Sequence, residues 1–421
     1  MDKLIIDGGV RLKGSVEVSG AKNAALPILA ATLLADEKSV IKNVPTSLLD
    51  VITMVKIIRY LGAKVEVQGN TITVEPKGYK GCTAPYKFVS TMRASICLLG
   101  PLLGKQKYAE VSFPGGCVIG PRPVDLHLKG IKALGAKVKI YGGYIIADGR
   151  NLRGSHVYLG GHFGSSVLAT ANVMMAATLT KGRTIIENAA CEPEVVDLAH
   201  FLKQMGAKIE GESTHKIEIE GVKKLAGAEH MLIADRIETG TYMIGAAITD
   251  GDIVIKKANP NHCIALIDKL REAGVSITFG KNEIHVRKTR SLKPVDVTTL
   301  PYPGFPTDMQ AQFMSLMCVT KGISVITEKI YPERFMHLSE LNRMGANIIL
   351  EGPTAIVKGV KKLSGAPLMA SDLRASAALV LAGLAGKGKS EVLRVYHLDR
   401  GYEDMEKKLS RLGAKIWREK E

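Results

Sequence analysis

The sequence predicts an α/β protein of two domains, built from six βαβ-type repeats of about 70 residues with three repeats to a domain. Three observations predict it. A five-residue tag recurs along the chain, a run of small apolar residues stands upstream of each copy, and a β-rich run lies between the two.

The tag reads LGAKV at Leu61–Val65 and again at Leu134–Val138, MGAKI at Met205–Ile209, AGVSI at Ala273–Ile277, MGANI at Met344–Ile348 and LGAKI at Leu412–Ile416. Its glycines (Gly62, Gly135, Gly206, Gly274, Gly345, Gly413) are 73, 71, 68, 71 and 68 residues apart, so six units fill the chain. Each tag closes an amphipathic segment such as Val124 to Leu134 and opens an alternating one such as KVKIYGGYIIA. That order predicts a helix, a glycine cap and a strand hairpin.

The runs AALPILAATLLA, RASICLLGPLLG, ATANVMMAATL, TGTYMIGAAI, QAQFMSLMCV and RASAALVLAGLAG predict six buried helices, because small side chains let helices approach closely. After them come SVIKNV, AEVSF, TIIENA, DIVIKK, SVITEK and SEVLRV, which predict strands. Each unit is therefore a buried helix, a strand, a surface helix and a strand pair, with sheets outside and helices within.

With 421 residues, 46% of them hydrophobic, the chain has ample length for two domains of about 200 residues. The opening MDKLIIDGGVRLKG lacks the features of a secretory leader, and no apolar run is long enough to span a bilayer, so a soluble cytoplasmic chain with no membrane partner is expected. Six scattered cysteines form no CxxC pair and no histidines stand at ligand spacing, which argues against a disulfide framework or a metal site. The net charge of +16 favours anionic partners. Its basic residues are dispersed and only 5% of residues are aromatic, which points away from nucleic acid and toward a phosphorylated small molecule.

Several buried runs begin with charge: Lys22 and Asn23, Arg93, Asp235 and Arg236, Asp308, and Asp372 with Arg374. Surface segments begin at Arg122, Glu192, Glu194, Asn259, Arg334 and Arg400. Helix N-termini carry unpaired N–H groups, and guanidinium forks match carboxylate and phosphate oxygens, so this recurrence predicts an anion-binding cleft. The alternative for any one of these residues is a charge pairing across a repeat interface. In the segment FPGGCVIGPRPVDLH, Cys117 stands among glycines and prolines with Arg122 close by, which fits a reactive loop thiol or proton donor.

Together with SGAKNA (Ser19–Ala24), Ile186–Glu194, DRIETGT (Asp235–Thr241), FPTDMQAQF (Phe305–Phe313), ERFMH (Glu333–His337), DLRASAALVLAG (Asp372–Gly383) and HLDRGYE (His397–Glu403), this loop resembles the enolpyruvyl transferase superfamily over the whole chain. The resemblance implies a two-domain inside-out α/β barrel, divided as residues 22–233 and residues 1–21 with 234–421, with the active site in the interdomain cleft. It implies transfer of the enolpyruvyl group of phosphoenolpyruvate, without a cofactor. The PGGC loop and RPVDLH imply UDP-N-acetylglucosamine as the acceptor, and with it a role in peptidoglycan synthesis.

Carried over by position, the resemblance assigns phosphoenolpyruvate to Lys22, Arg122 and Arg400, with Arg93 and Arg374 in support. It assigns the nucleotide sugar to Asn23, the run Arg122, Pro123, Val124, Asp125 and Leu126, Asp308 and the backbone near Ile330. Cys117 becomes the residue that protonates or adds to phosphoenolpyruvate, Asp308 the candidate base, and Lys22 and Arg400 catalytic cations; Arg334 and Asp372 complete the charged helix starts. The chain departs from the family pattern in GHFGSSVLAT (Gly161–Thr170), where Gly164 stands at a lysine position and Leu168 at a glycine; Ser165 and Ser166 are the remaining candidate donors. The rivals are a shikimate-pathway enolpyruvyl transferase and a non-catalytic nucleotide-sugar-binding protein.

Overall fold

The computed structural model describes residues 2–90, 92–113, 124–288 and 291–420. Cys117, Arg122 and Pro123 lie outside the described residues.

Six four-stranded sheets carry the repeats, all built to one plan. In the second repeat the short edge strand Thr83–Ala84 runs parallel to Tyr108–Ser112, which pairs antiparallel with Tyr144–Asp148, itself paired with Lys137–Tyr141. Four repeats take the edge strand from just before their own central helix, giving a local parallel crossover. The other two exchange it. Lys13–Glu17, which precedes the first central helix, pairs with Asp252–Lys256, while Glu229–Met231 pairs with Ser39–Lys42. The first strand, Asp2–Asp7, in turn fills the third place in the sheet of the last repeat.

This exchange divides the described residues into two compact units, Gly20 to Ile233 in one and residues up to Ser19 together with Ala234 onward in the other. Each unit holds three of the sheets. The sheets remain separate and open among the described residues, so the expected barrel is an arrangement of sheets packed on helices and contains no closed ring of strands.

The tag does the same work in every repeat. All six tag glycines have positive φ, between +89° and +104°, a region in which a side chain is strained. In five of them the next residue closes a six-residue Schellman ring, as in Ala63 N–H to Ile58 O and Ala207 N–H to Leu202 O. The surface helix stops there and the hairpin begins.

The central helices are buried on all sides, as their small residues require. In the Gly20–Ile233 unit, a Cβ placed on Gly100 would lie 2.4 Å from the Asn172 carbonyl of the neighbouring helix Val167–Thr178. In the other unit, Ser315 Oγ of Gln310–Cys318 donates to Ala378 O of Leu373–Ala385 at 3.0 Å. The second central run differs from expectation by breaking into a 3₁₀ turn, Arg93–Leu98, and an α-helix, Leu99–Gln106. Pro101 explains the break: it has no N–H for the Cys97 carbonyl, and its ring crowds the preceding turn.

Candidate functional site

In the unit that begins at Ala234, the three central helices start with aspartates that have different duties. Asp235 caps Arg236–Ile248 through Ile237 and Glu238 N–H (2.8 and 3.0 Å), and Asp372 caps Leu373–Ala385 through Arg374 and Ala375 N–H (2.8 and 3.1 Å). Both satisfy orphan helix donors. Asp308 caps nothing by its side chain. It stands in the 3₁₀ turn Thr307–Met309 that leads into Gln310–Cys318, and its carboxylate faces two guanidinium groups.

Arg334 Nη1 donates to Asp308 Oδ1 at 2.9 Å and Arg374 Nη2 to Oδ2 at 3.1 Å. Both arginines are buried, at 3% and 2% side-chain exposure, while Asp308 remains 26% exposed, so the carboxylate is the accessible member. Burial pushes its pKa up, but the Arg374 and Arg334 charges outweigh that and hold it well below the usual carboxylate range. Arg374 also lies over the Tyr402 ring, 5.4 Å from its centroid, and the Tyr402 hydroxyl is fixed by Thr241 Oγ1 (2.9 Å) and Gln312 Nε2 (3.1 Å). Among the described residues, Arg374 Nε and Nη1 are buried donors that make no hydrogen bond of good geometry. Such donors are costly to bury unused and suit an incoming anion.

The sequence reading missed the groups that hold this cluster. Glu328, wholly buried just beyond the strand Ile323–Thr327, accepts from Ile330 and Tyr331 N–H at 2.8 and 2.9 Å. The Ile330 amide is thereby committed inside the protein. His337 is also buried here, and burial pushes its pKa down to about 4. Arg400 closes the turn Val395–Arg400, where burial and its own charge lower the pKa of His397.

In the unit spanning Gly20 to Ile233, Lys22 opens the helix Lys22–Ala31 and its ammonium meets Asp50 Oδ2 at 3.2 Å, both side chains at most 8% exposed. Arg93 opens its 3₁₀ turn, and Val124 stands at the start of Asp125–Ala133 with Asp125 exposed and Leu126 half-buried. Ser166 caps Val167–Thr178, its Oγ accepting from Ala169 N–H at 3.3 Å. The departure at Gly164 has a backbone reason. Gly164 has φ of +93° and exchanges two hydrogen bonds with Gly161 (2.9 and 3.1 Å), closing a two-residue hairpin at a position where a lysine would be strained. Leu168, at the family's glycine position, packs against the core.

A buried node joins three of these segments. Asn172 Nδ2 donates to Ile96 O (2.9 Å), its Oδ1 accepts from Gly100 N–H (2.7 Å), and its second amide hydrogen faces His127 Nδ1 at 2.8 Å. With the amide orientation fixed by the backbone, His127 Nδ1 is the acceptor and carries no proton. Among the described residues no group of three or more His, Cys, Asp or Glu could hold a metal ion, and no helix is long and apolar enough to cross a membrane.

The fold is shared with solved enolpyruvyl transferases. The enolpyruvyl transferase NikO from Streptomyces tendae superposes with a TM-score of 0.89 at 25% identity, covering 99% of both chains. An EPSP synthase from Acinetobacter baumannii superposes at 0.75 with 18% identity over the full length of both. The sequence pattern of the EPSP synthase (3-phosphoshikimate 1-carboxyvinyltransferase) family matches residues 6–409. The chain belongs to this family of enolpyruvyl transferases. Relatives named UDP-N-acetylglucosamine 1-carboxyvinyltransferase match it end to end, at 54% identity in Myxococcus xanthus and 53% in Geotalea uraniireducens, each over 100% of both chains.

Proposed function

We propose that the chain transfers the enolpyruvyl group of phosphoenolpyruvate to the 3′-hydroxyl of UDP-N-acetylglucosamine and releases phosphate, a first step toward peptidoglycan. The observation that carries this reading is full-length identity above 50% to relatives named for that acceptor. The two-arginine hold on Asp308 supports it chemically.

Cys117 gives a proton to the C3 methylene of phosphoenolpyruvate, and C2 gains oxocarbenium character. The 3′-hydroxyl adds to C2 and loses its proton, giving a tetrahedral ketal. Loss of a C3 proton then restores the double bond as the C2–O bond to phosphate breaks. Lys22, Arg93, Arg122, Arg374 and Arg400 compensate the carboxylate and the departing phosphate.

The arginines that hold Asp308 make it a poor base while both are engaged. An anionic substrate that draws Arg374 onto its own oxygens through the unused Nε and Nη1 raises Asp308 basicity as the acceptor hydroxyl arrives. Binding and base activation are thereby coupled.

Phosphate release from phosphoenolpyruvate, measured with UDP-N-acetylglucosamine and separately with shikimate 3-phosphate, tests the reading. Release with the nucleotide sugar alone is expected. Release with the shikimate ester instead would move the chain to the other acceptor class.

A further inference from the structure

Glu328 is an acidic side chain with no exposed surface, and among the described residues its four side-chain hydrogen bonds all come from neutral donors. Its Oε1 takes the Thr299 hydroxyl at 2.6 Å as well as the Ile330 and Tyr331 amides. Its Oε2 takes the Thr307 hydroxyl at 2.9 Å. A carboxylate only accepts, so each threonine must spend its single hydroxyl proton on Glu328 and turn its lone pairs outward. The Thr299 lone pair then receives Lys329 N–H at 2.9 Å, and the Thr307 lone pair receives Arg334 Nη1 at 3.0 Å.

That second contact reaches the site. The same Nη1 of Arg334 holds Asp308 Oδ1, so the guanidinium is aimed by two acceptors on adjacent residues. Tyr331, whose amide is held by Glu328, lies with its ring 5.9 Å from the Arg334 guanidinium. Glu328 thus controls Arg334 by two routes, through a hydroxyl and through a ring.

Resting on the function proposed above, we infer that Glu328 and Thr307 are positioning residues for the reaction. The relay Glu328–Thr307–Arg334 fixes the direction of the Asp308 carboxylate, while the Ile330 and Tyr331 amides pin the loop that follows. Neither residue touches substrate. Their effect passes through Arg334, and it depends on the Thr307 hydroxyl rather than on its bulk.

Two substitutions at position 307 separate this from a packing role. Thr307→Val keeps the shape and deletes the hydroxyl, while Thr307→Ser keeps the hydroxyl and deletes a methyl. The relay predicts that Val lowers kcat/KM by about 10- to 100-fold, the scale expected for a small misplacement of catalytic groups, and that Ser stays within about threefold of the parent chain. A packing role predicts the reverse order. Glu328→Gln is expected to resemble Val, because its amide offers donors to Thr307 and turns the hydroxyl proton toward the arginine.

Crystal structures of both Thr307 variants give a readout independent of turnover, with the Arg334–Asp308 contact kept in Ser and opened in Val. An intact contact in Val, or Val more active than Ser, overturns the inference. A parent chain that releases no phosphate overturns the proposed function instead, and the crystallographic comparison still decides the relay.

Discussion

His127 makes folding sensitive to mild acid. It is 4% exposed, and burial, with the Arg93 charge beside it, pushes its pKa down to about 3. In the unfolded chain the imidazole titrates near 6.5. Between those values the unfolded state binds a proton that the folded state refuses, so stability falls as pH drops below about 6.5 and is unaffected above it. From pH 7 to pH 5 the loss from this one residue is about 2 kcal/mol. For a unit of about 200 residues that corresponds to a fall of about 4–8 °C in Tm. His127→Gln retains an acceptor oxygen for Asn172 and removes the titration. Thermal unfolding of parent and variant at pH 7 and pH 5 measures the difference: the variant should lose less by that amount, whatever its absolute Tm. An identical pH response in both proteins would refute the neutral, buried His127.

Cys117→Ser should nearly abolish phosphate release while UDP-N-acetylglucosamine binding, followed by titration calorimetry, persists. A phosphonate epoxide should label Cys117 in a nucleotide-dependent manner by peptide mapping; Cys97 and Cys318, whose thiols burial pushes up to about 12, should stay unlabelled. Arg374→Lys replaces a fork with a point charge at Asp308 and above Tyr402, and should lower kcat/KM by about 100-fold. With a weaker hold on Asp308, its pKa rises, so the acid limb of the kcat/KM profile should move to higher pH. Gly206→Ala adds a methyl where φ is +100° and, among the described residues, nothing beyond its chain neighbours lies within 4 Å, so backbone strain alone should cost about 1–2 kcal/mol in urea unfolding. Gly359→Ala, whose Cβ would lie 1.6 Å from Thr320 O, should cost more.

The repeat plan was legible in the sequence because one physical device marks every unit. A tag glycine forced to positive φ ends each surface helix, and small residues let each central helix sink inward. Asp308, Arg334 and Arg374 were legible for a similar reason, as charges standing at starts of otherwise apolar or amphipathic segments. Asp372 looked the same on paper, yet its carboxylate is spent on capping, a distinction that depends on backbone geometry. Asp50, Glu328 and Asn172 left no pattern. Asp50 lies 28 residues from Lys22, and Glu328 gathers donors from Thr299 to Tyr331, so only the folded chain brings them together. The break at Pro101 could have been read, since a proline two residues into a helix restarts its hydrogen bonding.

The central claim is that the chain cleaves the C–O bond of phosphoenolpyruvate to pass its three-carbon unit to a sugar hydroxyl. Phosphoenolpyruvate carrying ¹⁸O at the bridging position, incubated with the protein and UDP-N-acetylglucosamine, tests it most directly. The account predicts that mass spectrometry finds the label in the released phosphate and the enolpyruvyl group on the nucleotide sugar. Label retained in a three-carbon product, with phosphate unlabelled, would mean phosphoryl transfer and would contradict it.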